Sequence, residues 1–186
     1  MSIECSVYIA TSVDGFIAQL DGGIDWLARP EYAASPIQGL SYEAFIATVD
    51  AIVMGKNTFN KVLTFDAWPY ENIPVVVLSS AALDIPAQLQ GKVQHANGTP
   101  ASIAKQLANQ GLRHLYIDGG VTIQRFLQAG LIDTLTITRI PVLLGSGIPL
   151  FNTAPSQQHL QLIEVHASDN GFVQERYRVE RNTAMD

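Results

Sequence analysis

Along residues 3–12, "IECSVYIATS", polar and apolar positions alternate and then give way to an apolar run, as in a strand that enters a core. Apolar runs recur at "AIVMG" (51–55), "IPVVVLSS" (73–80), "RHLYIDGG" (113–120) and "LIDTLTITRIPVLL" (131–144). Between them the period lengthens to that of a helix. Ser41 offers an N-cap to "SYEAFIATV", in which Tyr42, Phe45, Ile46 and Val49 share one face. "PASIAKQLANQG" opens on Pro100 and closes on Gly111, the asymmetry of a helix, and "KNTFNKVL" and "VTIQRFLQAG" are further helical segments after strands. Strands alternating with helices predict an α/β sheet that is parallel in its middle. The end of the chain differs: "LQLIEVHASDNGFVQERYRVE" holds two alternating runs around Ser168-Asp169-Asn170-Gly171, a β-hairpin signal. Val173, Tyr177 and Val179 then face one way, and Gln174, Arg176 and Arg178 the other.

Length and composition narrow the class. The chain has 186 residues, 47% of them hydrophobic and 15% charged, which suits one well-buried domain over residues 1–186. No internal repeat or linker is visible. The formal net charge of −6 comes with no block of Lys or Arg, so the basic footprint of a nucleic-acid binder is missing. An anionic ligand would have to be held locally, by backbone N–H groups and a few cations. Cys5 is the single cysteine, and His95, His114, His159 and His166 are scattered, so no metal signature is read. No stretch has the length of a membrane span or the form of a basic leader, and a cytoplasmic protein is expected. No G-x-S-x-G elbow is present.

Ligands of open α/β sheets gather at the carboxyl ends of the strands, and three such ends compete. In "VMGKNT", Gly55 permits close backbone approach, Thr58 is placed to cap the next helix, and Lys56 adds a cation, a set that suits phosphate. In "VVVLSS", Ser79 and Ser80 offer hydroxyls, though serines at a strand end are commonly just a turn. In "YIDGG", an isolated Gly119-Gly120 pair would be a close-packed turn. With Asp118 before it and a helix after it, the pair gains a second reading as a diphosphate cradle. Upstream, "VDGFIAQLDGGIDWLARP" (13–30) is a long loop with two turn signals and an aromatic anchor, Trp26.

In this order, "VDGFIAQLDGGIDWL", "AIVMGKNTF", "VVVLSS" and "LYIDGGVTIQRFLQAGLIDTLTITRIPVLLGSGIPLF" resemble the dihydrofolate-reductase-like superfamily, and within it the reductase domain of riboflavin biosynthesis. The resemblance implies a three-layer α/β/α fold with a mixed sheet and a C-terminal antiparallel hairpin. It implies an oxidoreductase that uses NADPH, with NADH an open alternative, to transfer hydride to a pyrimidine- or pterin-like compound. Carried over residue by residue, Ile9, Ala10, Ile17 and Ala18 would surround the nicotinamide. Gly55, Lys56 and Thr58 would meet the diphosphate and ribose phosphate, Leu78 and Ser79 the adenine ribose, and Gly119, Gly120, Val121, Thr122 and Ile123 the diphosphate. Asp14 and Asp25 are the candidate catalytic acids, and Trp26 and Glu43 the candidate substrate contacts.

Three positions depart from the family pattern. Ser80 stands where many relatives have arginine, Tyr8 where riboflavin-pathway reductases have lysine, and Glu43 only approximates the acid of true dihydrofolate reductases. Dihydrofolate reductase itself and a non-catalytic nucleotide-binding module remain the alternatives. The hairpin edge invites pairing with a second subunit, so a homodimer is expected.

Overall fold

The computed structural model describes residues 3–34, 36–152 and 157–180. In chain order the strands are β1 (Glu4–Ser12), β2 (Phe16–Ala18), β3 (Ala51–Gly55), β4 (Val75–Leu78), β5 (Val93–Ala96), β6 (His114–Asp118), β7 (Thr134–Ile140), β8 (Ile148–Pro149), β9 (Leu160–Ala167) and β10 (Val173–Val179). The helices are α1 (Tyr42–Ile46), α2 (Lys56–Val62), α3 (Pro100–Asn109) and α4 (Gly120–Gln128).

Eight strands form one sheet in the order β5-β4-β3-β6-β1-β7-β10-β9. From β5 to β7 every pairing is parallel, and β10 and β9 complete the sheet antiparallel. The continuous apolar runs have a direct cause, since a parallel strand is covered on both faces. Along β3, Ala51 and Val53 enter the core beneath α3 and α4, with Ile103, Leu107, Ile123 and Phe126. Ile52 and Met54 enter the opposite core, with Phe45 of α1 and Phe59 of α2. The three-layer α/β/α arrangement with a parallel middle and a terminal hairpin is therefore present, and it is a dihydrofolate-reductase-like fold.

Two features of the loops were not legible in the chain. β5 carries the polar pair Gln94-His95, both exposed on an edge strand, so no apolar alternation marks it. β2 lies inside the long 13–30 loop and pairs antiparallel with β8, Phe16 opposite Pro149 and Ala18 opposite Ile148. That two-stranded flap connects segments about 130 residues apart in sequence, a long-range pairing that local pattern does not encode. Trp26 closes the loop by burying itself with Tyr32 and Ile140.

Candidate functional site

The parallel strands leave hollows at both ends of the sheet. At their amino ends, a hollow of about 900 Å³ is lined by Glu4, Asp133, Thr134, Arg176 and Arg178. Its charges are committed within the protein: an Asp133 carboxylate oxygen accepts the Cys5 N–H at 2.9 Å, and Arg176 pairs with Glu164 at 3.4 Å. At the carboxyl ends, a cleft of about 590 Å³ runs between β1, β3, β4 and β6, beneath the β2/β8 flap. Here helix N-termini open onto the space.

Capping distinguishes these helices from the others. Ser41 caps α1 by accepting the Ala44 N–H, and Thr99 caps α3 by accepting the Ser102 N–H. The two helices that begin at the cleft have glycine caps, Gly55 for α2 and Gly119 for α4, and neither has a side-chain cap bond. Thr58, expected from the sequence to cap α2, instead sits in its first turn with its hydroxyl against Gly119. First-turn N–H groups that no side chain satisfies are donors for an anion.

The protein itself requires glycine at this crossing. Gly119 has φ +88°, and a Cβ there would collide with the Thr58 hydroxyl. At Gly55 a Cβ would lie 3.0 Å from Oγ1 of Thr122, so α2 and α4 cross with almost no space between their first turns. Gly120 is different: its Cβ would point at Cδ1 of Ile17 on the flap, 2.9 Å away.

Charge along the cleft is unequal. Lys56, Lys61 and Arg125 line it, with Asp118 as the single lining acid among the described residues. Lys56 Nζ reaches toward the Ala82 carbonyl at 3.5 Å, beside the turn that follows β4. There Ser79 spends its hydroxyl locally, donating to the Ala81 carbonyl at 2.8 Å and accepting the Ala81 N–H at 3.1 Å.

Asp118 ends β6 at the cleft wall. Burial pushes its carboxyl up to about 6, against the Gly119 N–H and the Tyr116 hydroxyl, which favour the ionised form. The Gly119 N–H donates to Oδ1 at 2.8 Å. Tyr42, Tyr70 and Tyr116 stand close enough to feel the charge. Burial, then Asp118, pushes the Tyr42 hydroxyl to about 12, so these groups are neutral donors at ordinary pH. A carboxyl near 6 in a ring of phenols can hold a proton or give one up close to neutrality.

The RibD C-terminal domain pattern matches residues 6–174, a span that includes every cleft residue named above. The chain belongs to the RibD C-terminal domain family. The uncharacterized protein YwjB of Bacillus subtilis is 35% identical over 166 residues, covering 87% of this chain and 90% of YwjB. A crystal structure from Shewanella sp. PV-4, provisionally named a riboflavin biosynthesis protein, superposes with TM-score 0.87 at 39% identity, over 96% of this chain and 100% of that one. Dihydrofolate reductase from Enterococcus faecalis, complexed with NADP(H), shares the fold at TM-score 0.67 and 17% identity, over 95% and 96% of the two chains.

Of the cofactor residues read from the sequence, Ile9, Ala10, Ile17, Ala18, Gly55, Lys56, Thr58, Leu78, Ser79, Gly119, Gly120, Val121 and Thr122 line this RibD-type cleft. Ile123 does not: it is fully buried, because α4 turns its fourth residue toward the sheet. Asp25 is exposed, Trp26 is core, and Glu43 is exposed on α1, so the cleft receives none of them.

Asp14 is also absent from the cleft wall, for a visible reason. Its carboxylate accepts the Leu144 N–H at 3.1 Å and the Gly145 N–H at 2.8 Å. The Ser12 hydroxyl, then these amides, hold it below the usual carboxylate range, which suits a loop tie rather than a proton donor. Asp14→Ala should free the 142–147 segment, read as faster hydrogen exchange at the Leu144 and Gly145 amides. Unchanged exchange there would remove this role.

Tyr8, expected from the resemblance to stand in place of a lysine, is structural in its contacts. Its ring stacks on Phe45 with centroids 5.0 Å apart, and its hydroxyl donates to the Leu40 carbonyl at 2.8 Å. The sequence reading passed over Asp118 as an acid in its own right and omitted Lys61 and Arg125. The DGG motif pointed at Asp118. Lys61 and Arg125 carried no motif, and only the helix phase brings them to the cleft.

Proposed function

We propose that the protein is an NAD(P)H-dependent reductase that passes hydride to a pyrimidine- or pterin-like substrate, in the manner of riboflavin-pathway reductases, in the cytoplasm. One observation carries the reading: on a chain of net charge −6, two uncapped helix N-termini and three cations face a single cleft. That donor set fits a dinucleotide with a diphosphate and a further phosphate.

When bound, the nicotinamide supplies the hydride. The first turns of α2 and α4 would hold the diphosphate through their N–H groups, and Lys56 would offer a point charge to the ribose phosphate. Ile9, Ala10, Ile17 and Ala18 give apolar walls that orient the reacting ring and exclude water. Asp118 holds a proton at its carboxyl and takes the acid role that the sequence reading gave to Asp14 and Asp25. The Gly119 N–H, which donates to Oδ1 at 2.8 Å, positions that carboxyl.

The direct test is titration with NADPH and NADH, followed by NADPH oxidation with a ribosylamino-pyrimidine phosphate and with dihydrofolate. Absence of binding to either cofactor overturns the reading. Lys56→Ala should weaken NADPH by about tenfold and NADH by less, since lysine acts as a point charge for phosphate. Equal losses for the two cofactors would take the ribose phosphate away from Lys56.

A further inference from the structure

The groups assigned to the dinucleotide do not use up the cleft. Its walls also include the apolar side chains of Ile24, Leu27, Val62 and Phe65, together with Tyr70 and Asp118. Packing fixes the Tyr70 ring: it meets Trp68 edge to face with centroids 5.3 Å apart, and Trp68 meets Phe59 at 6.1 Å.

Tyr70 is only 9% exposed, yet its hydroxyl bonds no protein group among the described residues. Its neighbours differ. The Tyr8 hydroxyl donates to the Leu40 carbonyl at 2.8 Å, and that of Tyr116 to the Tyr8 carbonyl at 2.9 Å. A buried hydroxyl without a partner costs free energy until something arrives to accept its proton. Burial, then the charge of Asp118, pushes the Tyr70 hydroxyl far above the usual phenol range. A ligand in the cleft therefore meets a neutral donor close to a carboxyl.

We infer that Tyr70 reads the substrate, and that this substrate is a flat, phosphate-free heterocycle with a ring carbonyl beside a ring nitrogen. The inference rests on the reductase reading and narrows it. Two observations select this chemistry. A phenol donor close to Asp118 suits a lactam edge, whose carbonyl accepts from Tyr70 while the adjacent nitrogen shares a hydrogen with the carboxyl. The apolar walls suit the faces of a flat ring.

Charge gives the second. Lys56, Lys61 and Arg125 are the cleft cations among the described residues. The cofactor brings about two negative charges on its diphosphate and about two more on its ribose phosphate. Three cations and two helix N-termini, each N-terminus equivalent to about half a charge, only balance that supply. A second phosphorylated ligand would then meet Asp118 on a chain of net charge −6, which repels it.

Three probes offered to the NADPH-saturated full chain test the inference: 6-methyldihydropterin, a ribosylamino-pyrimidine, and the 5′-phosphate of that pyrimidine. Calorimetry reads binding and NADPH oxidation reads turnover. At least one phosphate-free probe should bind about tenfold or more tightly than the phosphate ester. Tyr70→Phe keeps the ring against Trp68 and removes only the hydroxyl. It should raise the Kd of that probe about tenfold and leave NADPH affinity and the melting temperature unchanged. A phosphate ester bound as tightly as the phosphate-free probes, failure of both phosphate-free probes on protein that holds NADPH, or an unchanged Kd in Tyr70→Phe overturns the inference and leaves the reductase reading standing. Absence of NADPH binding by the wild type overturns the reductase reading itself.

Discussion

Asp118→Asn is expected to reduce kcat by about 100-fold, within the range contributed by a positioned acid, while making the unliganded protein more stable at pH 7. The two effects have one origin. Folding moves the carboxyl from an ordinary 3.8 to about 6, chiefly by burial, so the folded state holds the proton more tightly than the unfolded chain.

The sign follows from that ordering. Below pH 4 both states are protonated and the burial penalty is absent. As pH rises from 4 to 6 the unfolded chain gives up this proton while the buried native carboxyl keeps it, and stability falls by on the order of 2 to 3 kcal/mol. Above pH 6 the cost stays constant. Asparagine keeps an oxygen for the Gly119 N–H but never ionises, so the variant should lack that decline. Rate and stability therefore separate: turnover by the wild type should fall as pH rises through about 6, in the interval where its melting temperature has already dropped. Wild-type kcat in the variant, or parallel melting curves for the two proteins between pH 4 and 7, would sink the assignment.

The glycine pair predicts a contrast between neighbours. Gly119→Ala should lower stability by about 2 kcal/mol, because φ +88° is a conformation that alanine adopts only under strain. Its methyl group also meets the Thr58 hydroxyl. Thr58→Ala should restore the contact part of this loss and leave the torsional part, which a double-mutant cycle separates.

Gly120→Ala has no such backbone penalty. Its Cβ meets the terminal methyl of Ile17 at 2.9 Å, an atom that a rotamer change can withdraw. The variant should stay folded by circular dichroism and melt close to the parent. If the diphosphate lies against the turn, NADPH affinity should still fall at least about tenfold, roughly 1.4 kcal/mol. A folded Gly120→Ala protein that binds NADPH as tightly as the parent would falsify the placement of the diphosphate, and with it the reductase reading.

The parallel strands were legible because they are buried on both sides, which writes continuous apolar runs such as "AIVMG" and "PVVVL" into the chain. Gly119 after β6 was legible because a positive φ leaves few residue choices. α3 announced itself through Pro100 and Gly111, and the hairpin through strict alternation about a Gly171 turn.

What the chain by itself determined is thus the set of elements that one local rule governs: covered strands, capped helices, tight turns and the family those motifs compose. Tertiary structure alone decided which polar residues meet. Asp14 matched a motif, yet folding directs its carboxylate to two amides 130 and 131 residues away. The DGG motif marks Asp118, but its altered acidity comes from burial, beside tyrosines contributed by β6, by α1 and by the segment before β4. Lys61 and Arg125 reach the cleft through helix phase and the crossing of α2 with α4. Burial, charge and hydrogen bonding depend on the distance between atoms in space, and local pattern records only the distance along the chain.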